Sequence, residues 1–376
     1  MAGILRKFIK GFFVIINIVV AIVFLLGCYG SWFNPKNFWF IGFFTLASLY
    51  LLLVLVGFIL FWLFAKKKMA LISITSILLA WKPIGQIIKF RTDSNFTMAK
   101  PAASLRIMSW NVEQFNIANN KKHPEVKTEM LNLINEYAPD VACFQELAGA
   151  DKDSTAINYV ATISKKINFS EYSFCYNVKN DYDSKHHFGI IIYSRYPIIN
   201  RQTINTIPND YNFIFQYIDI VKATDTFRIF NIHLQSLKFN NDNLQYLQDA
   251  ENNTEIDIAK SKSILYKLKI GFIKRQIQSE SIKKEMDKSP YPVILCGDFN
   301  DVPNSYAYCT IGKNLKNVYS EKGCGIGRTF SSISPTLRID NIFVDNKFKV
   351  EQYVKIPKKL SDHFPIVADV KMGSGE

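Results

Sequence analysis

Apolar and polar positions divide the chain near residue 90. Up to that point three long apolar runs follow one another with few polar breaks. Arg6, Lys7 and Lys10 precede the first, Gly11 to Gly27, which is long enough to span a bilayer. Leu25-Leu26-Gly27-Cys28 looks like a lipoprotein cleavage box, but a second apolar segment follows at once, which argues against processing and lipidation at Cys28. That segment runs from Phe38 to Ala65, with Trp39 and Trp62 near its ends as expected interfacial anchors, and Lys66-Lys67-Lys68 stops it. The third run, Met69 to Trp81, is short for a span. It extends through Ile84, Ile87 and Ile88 if Lys82 snorkels. The excess of Lys and Arg on cytoplasmic loops places Arg6, Lys7, Lys10 and Lys66–Lys68 inside. If the third run spans, the chain after about Phe90 is extracytoplasmic, and this is the favoured reading. If that run only lies on the surface, the remainder is cytoplasmic.

Beyond a polar stretch, Arg91 to Ser104, the pattern changes to short apolar runs and helical periodicity. Strands are expected at Leu105–Asn111, Val141–Phe144, Gly189–Tyr193, Phe213–Val221, Phe227–Ile232, Val293–Cys296, Ile339–Val344 and Ile366–Val370. Helices are expected at Lys127–Glu136, Asn158–Lys166 and Ile256–Lys288, with an Asn/Asp-rich loop at Asn240–Asn253 before the last. Strands outnumber helices and several are consecutive, which predicts a layered α/β protein with two sheets face to face and helices outside. The chain thus divides into a membrane region (1–90) with two or three helices, a linker (91–104) and a layered α/β domain (105–372).

The net charge of +13 changes meaning once it is located. Residues 1–100 hold eleven Lys/Arg against one acid, Asp93, leaving only +3 for the rest. The basicity flanks the apolar runs and is a topology signal, not a polyanion-binding face. Six cysteines, with no CxxC pair or Cys/His zinc spacing, imply no thiolate metal site; Cys143 and Cys296 read as small core residues. The run Gly323-Cys324-Gly325-Ile326-Gly327 lacks a strand–turn–helix context for a dinucleotide and is expected as a flexible loop at the rim of the site.

Several expected strands end in polar residues that a core strand would not carry: Asn111, Glu146, His233, Asp298 with Asn300 and Asp301, Asp340, and Asp362-His363. Each alone has a plain structural explanation, such as a cap, a turn or, for Asp340, an ion pair with Arg338. Together they describe polar groups gathered at strand ends, which is how sheet proteins build sites. His123, His186 and His187 lack this context and read as surface or loop residues. Arg195, Arg275 and Gln276 read as packing or supporting residues.

The ordered motifs SWNV (Ser109–Val112), FQEL (Phe144–Leu147), YSRYPI (Tyr193–Ile198), NIHLQS (Asn231–Ser236), GDFND (Gly297–Asp301), RIDNI (Arg338–Ile342) and SDHFPI (Ser361–Ile366) resemble the endonuclease/exonuclease/phosphatase family, over about Leu105 to Lys371. The resemblance implies a DNase I-like four-layer αββα sandwich and a Mg²⁺-dependent phosphoesterase, with Mn²⁺ as a substitute. It implies Glu146 as the main metal ligand, with Asn111 and Asp362 in the metal site. Asp298 would position or deprotonate the attacking water, and Asn300 would hold the phosphate oxygens. His363 and Asp340 would form a catalytic pair beside the scissile phosphate, joined by His233. Asp301 is left a turn or supporting role. Oxygen donors suit a hard cation, and a carboxylate-held histidine suits proton exchange.

The expected partners are the bilayer and a phosphoester substrate. A lipid or phosphorylated small molecule competes with nucleic acid, as for an extracytoplasmic DNase. The near-balanced charge after residue 100 removes the usual electrostatic argument for the latter. A third reading, a membrane scaffold with a silent hydrolase domain, is opposed by the completeness of the eight positions.

Overall fold

The computed structural model describes residues 2–91, 96–119, 122–150, 158–176, 186–205, 214–237, 246 and 257–373. The apolar runs form α1 (Ala2–Cys28), α2 (Pro35–Phe38), α3 (Ile41–Ala65), α4 (Ala70–Leu79) and α5 (Trp81–Ile87). Residues Ile4–Cys28 of α1 and the whole of α3 are long and apolar enough to cross a membrane. The stretches Lys67–Leu79 and Trp81–Ile87 reach that standard only as a pair bent by 66°. Pro83 accounts for the bend. It has no N–H to donate to Leu79 O, one turn back, and that carbonyl instead accepts the Tyr29 hydroxyl at 2.6 Å. At one end of the bundle the Phe13 and Phe61 rings meet at 5.2 Å. Toward the other, Gly27 is so close to α3 that a Cβ would stand 2.3 Å from Phe44 O. Trp62 is not an interfacial anchor: it is 1 % exposed, packed inside the bundle.

Downstream lie twelve described strands: β1 (Leu105–Asn111), β2 (Val141–Ala150), β3 (Glu171–Tyr176), β4 (His186–Ser194), β5 (Ile198–Asn205), β6 (Ile214–Lys222), β7 (Asp225–His233), β8 (Val293–Asp298), β9 (Leu315–Asn317), β10 (Asp340–Asp345), β11 (Phe348–Lys355) and β12 (Ile366–Met372). The helices are α6 (Pro124–Tyr137), α7 (Tyr159–Ile167), α8 (Ile258–Met286), α9 (Tyr306–Gly312) and α10 (Val318–Lys322). Two six-stranded sheets form, in the orders β11-β12-β1-β2-β4-β3 and β5-β6-β7-β8-β10-β9. Each has one parallel pair at its middle, β1–β2 and β7–β8, and is otherwise antiparallel. Expected strand residue Phe213, helix residue Ile256 and the loop Asn240–Asn253 apart from Tyr246 lie outside the described residues.

The period of two along each strand assembles three cores. Leu105, Ile107, Val141 and Cys143 meet Ile218, Ile229, Ile294 and Cys296 between the sheets. Met108, Trp110, Ala142 and Phe144 face Met130, Ile134 and Ile163 of α6 and α7. Phe230, Ile232 and Leu295 face Ile282 and Met286 of α8. Central strands buried on both faces read as unbroken apolar runs. The result is an αββα sandwich preceded by apolar helices. The cysteines are all free, with Cys143 and Cys296 in the intersheet core.

The apolar helices and the sandwich are in contact. Arg338, 1 % exposed, donates to Gln86 O, to Ile87 O at 3.2 Å and to Ile326 O at 2.9 Å, and stacks on Tyr319. It therefore serves the end of α5 and is not paired with Asp340. The glycine run does not form an open rim: Lys89 and Gly325 exchange backbone hydrogen bonds at 2.8 Å. His186 and His187 are strand residues that open β4, and not loop residues. The expected linker is fastened where it is described, by Thr97 N–H to Gln352 Oε1 at 3.0 Å and by Lys100 to Asp140 at 2.7 Å.

Candidate active site

The site sits where β1, β7 and β8 end, at a bulge within β2, and where β10 begins. Parallel pairing brings these ends together: His233 is directly opposite Asp298, and Asp298 opposite Asp340 in the antiparallel pair. Sequence spacing alone could not place these three side by side.

Asp298, 1 % exposed, is at the centre. Its Oδ1 accepts the Asn300 N–H at 2.7 Å, and its Oδ2 accepts Asn111 Nδ2–H at 3.1 Å. The same oxygen lies 3.6 Å from His233 Nε2 and 3.7 Å from His363 Nε2. Burial raises the Asp298 carboxyl above the usual range and nearby Asp340 adds to that, while His363 and His233 oppose it. Asn300 adopts a left-handed turn (φ 48°), compatible with an asparagine, and its amide donates to Leu234 O at 3.1 Å.

His363, 4 % exposed, donates from Nδ1 to Asp340 Oδ2 at 2.8 Å. Burial alone would lower its pKa, but Asp340 and then Asp298 outweigh it and hold the value well above that of a free histidine. The ring turns its Nε2 toward Asp298 Oδ2, 3.7 Å away. Thr329 Oγ1 accepts the Ile339 and Asp340 N–H groups at 2.9 and 3.0 Å and fixes the carboxylate's strand. Phe330 lies 4.9 Å from the imidazole, centre to centre.

Glu146 is one of the two open acids of the group, with its side chain 36 % exposed. Its Oε1 accepts Asn111 Nδ2–H at 3.1 Å and is 3.6 Å from His233 Nε2. It arrives there through a β-bulge: the β2–β4 register shifts between Phe144 and Leu147, and Glu146 takes φ 55°. Asn231, fully buried, braces the bulge. Its amide donates to Phe144 O at 2.9 Å and Ile191 O at 2.8 Å, and its carbonyl accepts Gln145 Nε2–H at 2.7 Å. Asp362 lies 4.0 Å from His363 Nε2 and takes its backbone N–H to Glu113 Oε2 at 3.0 Å. Burial, then the like charges of Glu113 and Glu146, push the Asp362 carboxyl up to about 7, although 39 % of that side chain remains in solvent, which screens the effect.

All eight expected residues are therefore brought into one group. Four contributors were not singled out in the sequence. Asn231 and Gln145 carry the signal of a polar residue inside an apolar strand. Glu113 is an acid two residues past Asn111, at the start of four consecutive non-glycine residues, Glu113 to Asn116, with φ between 44° and 58°. Such backbone is costly and is found at functional sites. Thr329 has no sequence signal. Asp301 has the expected supporting role. It pairs with buried Arg275 of α8 at 3.0 Å, and Arg275 also donates to Gln235 O at 3.0 Å. Arg195 is structural, donating to Pro139 O at 2.9 Å.

The donors fit a hard divalent cation. Asn111, Glu146, Asp362 and Asp298 offer oxygens without a thiolate. Two buried polar atoms aimed into the group, His233 Nε2 and Asp340 Oδ1, have no hydrogen-bond partner in the protein. Asp298, Asp340 and His363 also bring ligand atoms within 4.8 Å of one another. The 2.8 Å bond from His363 to Asp340 already occupies that pair, however, so Glu146 and its neighbours are the better-disposed oxygens.

Comparison with known proteins agrees with this geometry. Residues 108–363 match the endonuclease/exonuclease/phosphatase family, and residues 10–87 match a domain of unknown function. No curated protein sequence matches. Among solved structures, the human nocturnin catalytic domain with bound sulfate superposes with a TM-score of 0.52 at 16 % identity, over 73 % of this chain and 97 % of that one. An endonuclease/exonuclease/phosphatase family protein from Bacteroides thetaiotaomicron gives 0.51 at 17 % identity, over 71 % and 97 %. At these identities the structures speak for the fold, and the family match speaks for the chemistry. The chain belongs to the endonuclease/exonuclease/phosphatase family and is a metal-dependent hydrolase of phosphoric ester bonds.

Proposed function

We propose that the chain is a membrane-anchored, Mg²⁺-dependent phosphoesterase that cleaves a phosphodiester or phosphomonoester by in-line attack of water. The observation that carries this reading is the buried Asp340–His363–Asp298 row, with 2.8 Å and 3.7 Å separations and an imidazole held between two carboxylates. Asp298 positions the water and draws its proton. His363, kept charged by Asp340, gives the phosphoryl or leaving oxygen an Nε2–H. Asn300 and His233 hold phosphoryl oxygens, His233 with the Nε2 that has no protein partner. Glu146, Asn111 and Asp362 would hold the cation. Bound there, it would neutralise charge on the phosphoryl oxygens, which usually supplies a large share of such catalysis.

The membrane region is read as 1–90 and the catalytic domain as 105–372. Two contacts support a third crossing. Tyr29, at the end of the bundle away from the Phe13–Phe61 contact, bonds Leu79 O, and Arg338 of the sandwich holds the end of α5. With the Lys66–Lys68 end in the cytoplasm, the sandwich stands on the opposite, extracytoplasmic side.

The test is hydrolysis of a soluble aryl phosphodiester and an aryl phosphomonoester by the full chain, with Mg²⁺ and with a chelator. Asp298→Ala and Glu146→Ala are measured alongside. Loss of activity in both variants and in chelator is expected. Activity retained in both variants refutes the assignment.

A further inference from the structure

The segment between Phe330 and Leu337 is a closed loop that joins the catalytic histidine to a membrane helix. Its neck is pinned by Phe330 N–H to Leu337 O at 3.1 Å and Ser331 N–H to Asp362 O at 2.7 Å. Arg328 gathers the carbonyls of Phe330, Ser331 and Ser332. On one side Phe330 lies against His363. On the other, Ser334 Oγ is 2.8 Å from the hydroxyl of Tyr50 on α3. Tyr50 is not at the end of that helix. It stands sixteen residues from Lys66, about 24 Å along the axis at about 1.5 Å per residue. A hydrocarbon core of about 30 Å measured from the Lys66 end therefore reaches past it. The loop's apex is Ile333, 37 % exposed and in the left-handed region at φ 63°, where a β-branched residue is a genuine outlier. A polar, solvent-facing loop has no need of an apolar residue held in that conformation. The charge beside the loop is positive: Lys355 stands over the Phe364 ring at 5.0 Å with Arg328 as its neighbour, a setting for anionic headgroups.

We infer that the loop 331–336 is seated in the leaflet on the catalytic side and opens the active site onto the bilayer, so that the substrate is a phosphoester carried on a lipid. This rests on the phosphoesterase reading above, but its docking half is testable without activity. The full chain is reconstituted in phosphatidylcholine vesicles with a photoreactive benzoylphenylalanine in place of Ile333, or of Ile199, which is 57 % exposed on the far edge strand β5. A lipid adduct after illumination is expected at 333 and not at 199. No adduct at 333 overturns the docking, whatever the enzyme does.

Turnover is then compared on vesicles of phosphatidylcholine, phosphatidylglycerol and phosphatidic acid and on soluble bis(4-nitrophenyl) phosphate. Ile333→Asp and Tyr50→Phe should each lower the ratio of lipid to soluble turnover, the first by tenfold or more. An equal fall on both substrates, an unchanged ratio, or hydrolysis of the soluble ester alone overturns the substrate class. Hydrolysis of neither by the unmodified chain counts against the phosphoesterase reading itself, and the adduct still decides the docking.

Discussion

Asn231 tests how the site is built, because it touches none of the atoms assigned to chemistry. Its side chain makes three buried hydrogen bonds, two of them to carbonyls where the β2–β4 register slips. Asn231→Ala leaves Phe144 O and Ile191 O without that donor. Gln145 Nε2 keeps weaker contacts at 3.3 Å to Cys143 O and 3.5 Å to Ser109. At about 1–3 kcal/mol for each stranded group, the two carbonyls account for about 2–6 kcal/mol. That is survivable against a domain stability of about 5–15 kcal/mol. The functional consequence is specific: Glu146, two residues past the braced Phe144 carbonyl, loses its fixed position. Losing such an outer support typically costs about 10–100-fold in metal affinity or activity. The assay is the cation concentration giving half-maximal hydrolysis, measured beside denaturant unfolding. The comparison is Ile282→Ala, a core truncation under α8 expected to cost about 2–5 kcal/mol. The half-saturating concentration should rise at least about tenfold in Asn231→Ala and stay fixed in Ile282→Ala. If both variants shift it equally, or neither does, the bracing argument is wrong.

Other consequences follow from the same contacts. Asp340→Asn removes the charge that holds the His363 imidazolium, so turnover should fall about 10²–10⁴-fold and the alkaline limb of its pH profile should move to lower pH; an unmoved limb would count against the pair. Asp301→Ala strands the buried Arg275 charge and should destabilise by about 3–5 kcal/mol, while Arg275→Met with Asp301→Leu recovers much of that, both read by unfolding midpoints. Asp362 is raised in the metal-free protein. Its contribution to stability is present below the unfolded carboxyl value and is lost as pH rises to about 7. Cation affinity should therefore increase from pH 5 to about 7 and then level off, with proton release visible by calorimetry in buffers of different ionisation heat; pH-independent binding would contradict this.

The fold was legible where burial is complete and obscure where it is not. β1, β7, β8 and β12 are buried on both faces along most of their length and stood out as largely apolar runs. β5, Ile198–Asn205, is exposed along most of its length and its letters follow no alternation, as suits an edge strand. β3, β9 and β11 went unseen for related reasons: all three are sheet edges, and β3 is only partly buried. α9 and α10, of 7 and 5 residues, are set by the caps of Ser305 and Asn317 and are too short for periodicity to register. The site residues were legible because each lies in or beside an apolar run, whereas their neighbours in space depend on strand pairing. The bulge at Glu146 and the left-handed turn at Glu113 are imposed by tertiary contacts that no local propensity announces. Trp62 and Arg338 show the same limit: both face the bundle and its junction, which sequence could not place.

The central claim is that one buried constellation, centred on His363 and Asp298, performs metal-dependent ester hydrolysis. Its most direct test is single-turnover hydrolysis of an aryl phosphodiester by the reconstituted full chain and by His363→Ala, each with saturating Mg²⁺ and with circular dichroism showing the fold intact. The account predicts a loss of about 10²–10⁴-fold or more in the variant at every pH. Turnover within a few-fold of the unmodified chain would contradict it.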